Sequence, residues 1–467
     1  MKKYIKILSI VAATFSIVSC SDDALEATAT TRKAVDDIKN VRDLSAVIRG
    51  ALDRFSNDAY YGRSFIIYGD LYADNTYANG SSGRYLSIGS GQLIPRDGYI
   101  SDTWDLIYKV VSSANLVISR ELNVPSSDLA KYNNLKAQAY LYRALAHFDA
   151  LRYWGQQNVG SGGKKALGIP YVKTFHPEGK NIEVSRSTVE ENIKDLYADL
   201  DKAVELFGND NSAPIFYGNK WSAKALKARV ALYFKDYDEV LKNANDIIGS
   251  GNYSVPDAEA FVKSWKSSLS SNWLFGIPYT ESDELGFDSV SNMYLNSSYG
   301  DVVIRPGNLE NLFDKTDVRG QSQMIGRDMP NEQGEKWNRN IGKYPRVNPS
   351  IYTLPVIRYE EVIFDKIEAL LYTNKKADAL KLFNEQIAAN RKETPLKDLN
   401  KEILINEWRK EFYFEGMRFT TLTRNGLGID ISGDLGRKVP YGDTSLAFPI
   451  PTWDMNNNPN IEQNKGY

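Results

Sequence analysis

The 467-residue chain contains one cysteine, Cys20, and only two histidines, His147 and His176. A single cysteine forms no internal disulfide, so the core must hold without covalent staples, and multi-cysteine metal sites are excluded by count. So little histidine leaves scant material for acid–base or imidazole–metal chemistry. There is no His-Glu-x-x-His zinc motif, no Gly-x-Ser-x-Gly elbow and no Walker A sequence. The run Gly160-Ser161-Gly162-Gly163-Lys164 lacks the spacing and the following Ser/Thr of a phosphate loop, and reads as a plain loop. The 59 acidic residues could supply the carboxylate pair of a glycosidase, but no motif selects one. Neither charge sign dominates, with 57 basic against 59 acidic side chains and no basic stripe, which argues against a nucleic-acid partner. No metal or cofactor is expected. Long apolar runs are also missing. The stretch Ile7–Val18, after Lys2, Lys3 and Lys6, is short of the ~20 residues that span a bilayer and fits the apolar region of a secretory signal.

That stretch ends Ile17-Val18-Ser19-Cys20, which resembles the lipobox of bacterial lipoproteins, where the cysteine becomes the lipidated first residue. Acyl chains at Cys20, each contributing about 0.8 kcal/mol per buried methylene, would fix the chain on a membrane. Ser21, Asp22, Asp23 and Glu26 follow, and acidic residues here resemble the signal that sends Bacteroidetes lipoproteins to the outer face of the outer membrane. Loss of residues 1–19 removes three lysines and no acid, leaving 54 basic and 59 acidic side chains, a formal charge of −5. Residues 20–33 then read as a lipidated tether.

Beyond the tether, helical periodicity dominates. Apolar steps of three and four residues predict helices from Asp36 to Ser56, from an Asp102 N-cap through Ile118, and from Ser127 to Tyr153. Ser187, with Glu190 three residues on, predicts a capping box and a fourth helix. Lys220–Phe234 and Asp236–Ile248 form a pair joined by a tight turn. Helices return at Glu360–Tyr372, Lys375–Ala389 and Asn400–Phe414. Alanines recur where axes would cross (Ala137, Ala139, Ala144, Ala146, Ala223, Ala225, Ala228, Ala231), as in tetratricopeptide-type packing, although no clean 34-residue repeat is visible. Asp70–Asp102 is rich in Gly, Ser, Asn and Tyr and reads as a long ordered loop of the kind that carries function. Ser250–Pro355 reads as strands and long loops. Pro449, Pro451 and Pro459 make the end extended.

In order along nearly the whole mature chain, these segments resemble the SusD/RagB family of Bacteroidetes nutrient-binding lipoproteins. The matching pieces are Trp104-x-x-x-Tyr108 with Ala114-Asn115; Lys136–Gly155, reading KAQAYLYRALAHFDALRYWG; Leu167-Gly168-Ile169-Pro170; Ser185-Arg186-Ser187-Thr188 before a helix ending Asp199–Ala203; and Ala223–Tyr233, reading AKALKARVALY. Then come Ile357-Arg358-Tyr359 with Glu361, Glu407–Arg424 reading EWRKEFYFEGMRFTTLTR, Phe448-Pro449-Ile450-Pro451, and Asn458-Pro459-Asn460 through Gln463–Tyr467. Trp408 stands where arginine is usual, and Thr420-Thr421 where an aspartate often lies. The resemblance implies a mostly α fold of tetratricopeptide-like helix pairs with long irregular loops and a few short strands. It implies one SusD-like domain over 34–467, with a helical body at 34–249 and 356–425, a loop-rich excursion at 250–355 and an extended segment at 426–467. It also implies a non-enzymatic glycan-binding role and a partner, a SusC-type TonB-dependent outer-membrane transporter. Peptide capture and a scaffold that binds only protein are the alternatives.

Sugar rings stack their C–H faces on aromatics and take hydrogen bonds from Asn, Asp, Arg and Gln. Two clusters offer that combination, and the resemblance places ligand sites in the same two regions. The first loop supplies Tyr72, Asp74, Asn75, Tyr77, Asn79, Arg84 and Tyr85; the middle region supplies Tyr279, Asn292, Tyr294, Asn296, Tyr299, Trp337 and Asn338. The charged residues on apolar helix faces (Arg143, Arg152, Arg229, Arg358, Glu361, Glu407, Arg409, Glu415 and Arg418) are expected to be buried ion pairs, and Trp104, Trp154 and Trp221 to be core.

Overall fold

The computed structural model describes residues 37–175, 183–209, 215–295, 300–345, 349, 351–431 and 437–467. Cys20, the signal and tether, Asn296, Tyr299 and His176 lie outside these residues.

The body is a stack of helices in which chain neighbours pack side by side: α1 (Val41–Ser56), α3 (Gly98–Ser119), α4 (Ser126–Trp154), α5 (Val189–Phe207), α6 (Lys220–Tyr233), α7 (Tyr237–Gly249), α8 (Tyr359–Tyr372) and α9 (Lys376–Phe383). A short helix, α2 (Ser64–Leu71), lies between α1 and α3 in the chain and was not apparent from periodicity, because all eight of its residues are buried and so show no polar face. Ala137, Ala139, Ala144 and Ala146 on α4 are fully buried, as are Ala223, Ala228 and Ala231 on α6, which lets the helix axes approach. The mostly α architecture is therefore the one the sequence implied. Cap positions shift. Asn40 caps α1, Asp97 rather than Asp102 caps α3, and the capping box is Thr188 with Glu191, one residue beyond the expected pair. α9 passes into a π-helical stretch over Asn384–Ala388.

The middle of the chain returns to the body through strand pairs. β2 (Trp273–Pro278) pairs antiparallel with β6 (Thr353–Arg358), whose residues are all buried, and β6 leads straight into α8. β1 (Thr76–Ala78) pairs antiparallel with β3 (Val302–Ile304), so the first loop and the middle region share a ladder. β4 (Ile325–Pro330) and β5 (Lys336–Asn340) form a hairpin packed on β3, and β7 (Ile429–Ile431) pairs with β8 (Arg437–Val439). One hydrophobic cluster runs from Ile38 to Ile461.

The expected ion pairs are present and buried. Arg143 makes a two-pronged bond to Asp199, at 2.5 and 2.7 Å, and Arg229 grips Glu361 the same way. A larger network ties the middle region to α10 (Lys401–Phe412). Arg319, fully buried, bonds Asp317 at 2.7 Å, Glu393 at 2.6 Å, Glu411 at 3.3 Å and Glu407 at 3.4 Å. Arg391 bonds Glu411 and Glu360; Arg358 bonds Glu360 and Glu415; Lys343 bonds Glu415 and Lys410 bonds Glu393 and Glu407. Five cations thus face six carboxylates, a near balance in which any single loss strands the partner charges.

α2 is pressed backbone to backbone against the turn before α11 (Arg418–Arg424). A Cβ on Gly69 would overlap the Gly416 carbonyl, while Gly416, at φ +75°, takes the left-handed conformation that glycine adopts without strain. The next residue, Asp70, locks the contact by accepting from the Gly416 N–H at 2.9 Å and from Asn75 Nδ2 at 2.5 Å. Burial pushes the Asp70 carboxyl up from 3.8 to about 6, only partly offset by these bonds and by the charge of Lys343. The fold therefore favours the neutral acid. Its contribution to stability is fully present below pH 3.8 and is lost as pH rises through 6. Asp70→Asn should accordingly gain stability relative to wild type, by about 2 kcal/mol, between pH 4 and pH 7. Parallel denaturant titrations at the two pH values check this, and an equal difference at both would contradict it.

Candidate ligand-binding site

The first loop leaves α2 at Leu71, and its opening residues are clamped to the body. Asn75 Oδ1 accepts from Arg409 Nε at 2.6 Å, and Asp74 takes a two-pronged bond from Arg418 at 2.6 and 2.8 Å. Burial pushes the Asp74 carboxyl up, but the Arg418 hydrogen bonds and the charges of Arg409 and Arg418 outweigh it and hold it down to about 2. Asp74 and Asn75 therefore fix the loop rather than face solvent.

Most of the expected tyrosines are core. Tyr72 is fully buried against Phe419 and Phe448 and donates to the Ser445 carbonyl at 2.7 Å. Tyr85, also fully buried, stacks on Tyr99 at 4.3 Å, and its hydroxyl receives Arg63 Nε at 2.6 Å. Tyr279 is buried and donates to the Ser56 carbonyl at 3.0 Å; Asn292 is buried and donates to the Gly286 carbonyl at 2.6 Å; Tyr294 packs on Phe414 at 4.6 Å. These five side chains fill the interior, a correction to reading each as a pocket-rim group. Tyrosine and asparagine in loops look alike whether they pack under the loop or project from it. Asn79, partly buried, bonds the Asp301 and Gly300 carbonyls and holds β1 to the stretch before β3.

Tyr77, Trp337 and Asn338 come together from the two regions. The β1–β3 ladder and the packing of β5 on β3 bring Tyr77 and Trp337 into edge-to-face contact, with centroids 5.8 Å apart at 69°. Both are only partly buried. The Arg305 guanidinium lies 5.7 Å from the Tyr77 ring centroid, and the Trp337 indole N–H has no acceptor among the described residues. Asn338, adjoining, donates to Glu310 at 3.2 Å and accepts from the Asp328 N–H at 3.1 Å. A second exposed aromatic, Phe287, is 60 % exposed beside Arg84, whose guanidinium pairs with Asp288 at 2.9 Å and reaches the Phe287 carbonyl at 3.4 Å. Arg305, Glu310 and Phe287 escaped the sequence reading; the signal for the first two was their place within a few residues of β3, legible only once β1 and β3 are known to pair. Tyr299 lies outside the described residues.

His147 accepts the Val172 N–H on Nε2 at 3.0 Å and stacks on Tyr171; burial, then the Arg143 charge, lowers its pKa well below the usual imidazole range, so the ring is neutral and structural. Among the described residues no three His, Cys, Asp or Glu side chains gather as a metal site, and no helix is long and apolar enough to cross a membrane.

The structure thus presents a body of paired helices carrying an aromatic-and-amide cluster on paired loops. A SusD-like family profile described as starch-binding and associating with the outer membrane matches residues 18–232, and the SusD family profile matches 334–445. The chain belongs to the SusD/RagB family. It is 26 % identical to SusD-like protein P2 of Formosa agariphila over the full length of both chains. It is 30 % identical to the starch-binding protein SusD of Bacteroides thetaiotaomicron over 120 residues, 24 % of this chain and 21 % of that one. Among solved structures, a putative sugar binding protein from Bacteroides vulgatus superposes with a TM-score of 0.80 at 25 % identity, covering 92 % of this chain and 99 % of that one. The surface glycan-binding protein A of Bacteroides fluxus gives 0.72 at 20 % identity, covering 92 % and 100 %, and shares the fold.

Proposed function

We propose that this chain is a cell-surface glycan-binding lipoprotein, held on the outer face of the outer membrane through Cys20, that delivers oligosaccharide to a SusC-type TonB-dependent transporter and performs no chemistry on it. The observation that carries the reading is the meeting of Tyr77 and Trp337, from segments about 260 residues apart in sequence, beside Arg305 and Asn338. Two aromatic edges with amide, guanidinium and carboxylate groups around them offer a ring face to sugar C–H groups and hydrogen bonds to hydroxyls. The names of the relatives, starch-binding and surface glycan-binding, support the same class of ligand.

Affinity electrophoresis against a panel of polysaccharides and, separately, peptide pools tests the reading. Retarded migration in at least one polysaccharide gel is expected. Retention of peptides and of no polysaccharide would replace the glycan reading with peptide capture, and transporter association without any polymer binding would leave only a scaffold.

The anchor carries its own prediction. Cys20→Ser should abolish incorporation of labelled fatty acid and move the protein from the membrane fraction to the soluble fraction. Undiminished labelling of the variant would contradict lipidation at this residue.

A further inference from the structure

A cleft lies outside the Tyr77–Trp337 platform. It has a volume of about 670 Å³ and opens where the N-terminal half of α3 meets residues 170–172 and the C-terminal helix α12 (Thr452–Asn457). Trp453 stands at its lip with 65 % of its surface exposed, more than any other large hydrophobic side chain described. Leaving an indole in water forgoes the stabilisation of burial, so a bare tryptophan beside a cleft is a feature to be explained. The floor is aromatic and its polar atoms are already used: Tyr108 donates to the Pro170 carbonyl at 2.9 Å, and the Trp104 indole bonds Asp454. Such a floor keeps its shape without a ligand.

The walls are carboxylates. Asp454, Asp102 and Asp105 all line the cleft, and only Asp105 has an ion-pair partner among the described residues, Lys109 at 2.5 Å. Asp102 and Asp105 also form the wall of a second cleft of about 520 Å³, which continues past Tyr99 and Arg63. The two clefts share Asp102 and Asp105. The larger of them, the trough under the Trp453 lip, falls within the roughly 300 to 1,000 Å³ of single-ligand pockets.

We propose that this trough is a second glycan-binding site, selective for uncharged sugars, with Trp453 as its stacking face and Asp102 and Asp454 as acceptors for ring hydroxyls. Carboxylates accept two or more hydroxyl hydrogen bonds each. A uronate or sulfated chain would be repelled by the same groups, so charge selects the ligand class. The inference rests on the glycan reading but names a separate surface.

The test is calorimetric titration of the full mature chain, and of its Trp453→Ala, Trp337→Ala and double variants, with neutral gluco-, manno- and xylo-oligosaccharides and with an oligouronate. Trp453 is exposed, so its variant should melt with wild type. Wild type should bind a neutral oligosaccharide at two sites per chain, each single variant at one, and the double variant with at least tenfold weaker affinity than either. Asp454→Asn, which removes one acceptor and one negative charge, should weaken neutral binding at this site and lessen the exclusion of the oligouronate. If Trp453→Ala binds as wild type while Trp337→Ala does not, the second site is wrong and the glycan reading stands. If wild type binds no oligosaccharide, both fall together. If Trp453→Ala changes only transporter association, the trough is a protein contact and the inference is overturned.

Discussion

Replacing Arg319 with methionine is expected to cost about 3–5 kcal/mol of folding stability. The guanidinium is fully buried and bonds Asp317 and Glu393 closely, with Glu407 and Glu411 within 3.4 Å. Methionine fills much of the volume but leaves those carboxylates without their cation in a site closed to water. The near balance of charge makes the loss hard to compensate, since Lys410 already serves Glu393 and Glu407, and Arg391 already serves Glu411. Asp317 and Arg319 belong to the middle region whereas Glu407 and Glu411 lie on α10, so the damage should also loosen the segment carrying β4 and β5, and with it Trp337. Guanidinium denaturation of Arg319→Met beside Lys202→Ala, whose partner Glu205 is largely exposed, provides the comparison. Equal midpoints for the two variants would mean that the buried network contributes nothing beyond a surface pair.

The second large effect is expected from a single methyl group. Gly69→Ala places a Cβ on the carbonyl of Gly416, a backbone atom that no rotamer change can move aside. Either α2 or the turn before α11 must shift, and overpacking of this kind costs about 1–3 kcal/mol or more. The hydrogen bond from the Gly416 N–H to Asp70 would be strained at the same time, and Asp70 holds Asn75 at the root of the first loop. Gly50→Ala is the control: on α1 its Cβ would meet only the Arg54 side chain at 3.5 Å, so the better helix former should stabilise, by up to about 1 kcal/mol. Melting curves of the two variants should move in opposite directions. A Gly69→Ala protein as stable as wild type would show that the α2–Gly416 approach is slack.

The helical body was legible because its signals are local. The stripe Leu141, Ala144, Leu145, Phe148 and Leu151 on α4 repeats at helical spacing, and each of those residues is buried. The ion pairs were legible in kind, since arginines and glutamates on apolar faces need partners, although the sequence did not say that Arg319 would sit at their centre. α2 was missed because burial on all sides erases the periodicity by which a helix is recognised. The Tyr77–Trp337 cluster was half legible. Composition pointed to both regions, and the β1–β3 ladder joins them, but which tyrosines face out depends on the pairing register and on long-range packing. Tyr72 and Tyr85 turn inward because Phe419, Phe448 and Tyr99 wait there; Tyr77, on the paired strand β1, meets Trp337 at the edge. Trp453 lies among the prolines of the C-terminal segment, where sequence alone suggests only an extended tail.

The central claim is that Tyr77 and Trp337 form the platform on which a glycan docks. Calorimetric titration of Trp337→Ala with a polysaccharide that retards the wild-type protein tests it most directly. One of the binding events seen with the wild-type protein should weaken at least tenfold, about 1.4 kcal/mol, with the melting temperature unchanged. Unaltered affinity at both sites in that variant and in Tyr77→Ala would contradict the account.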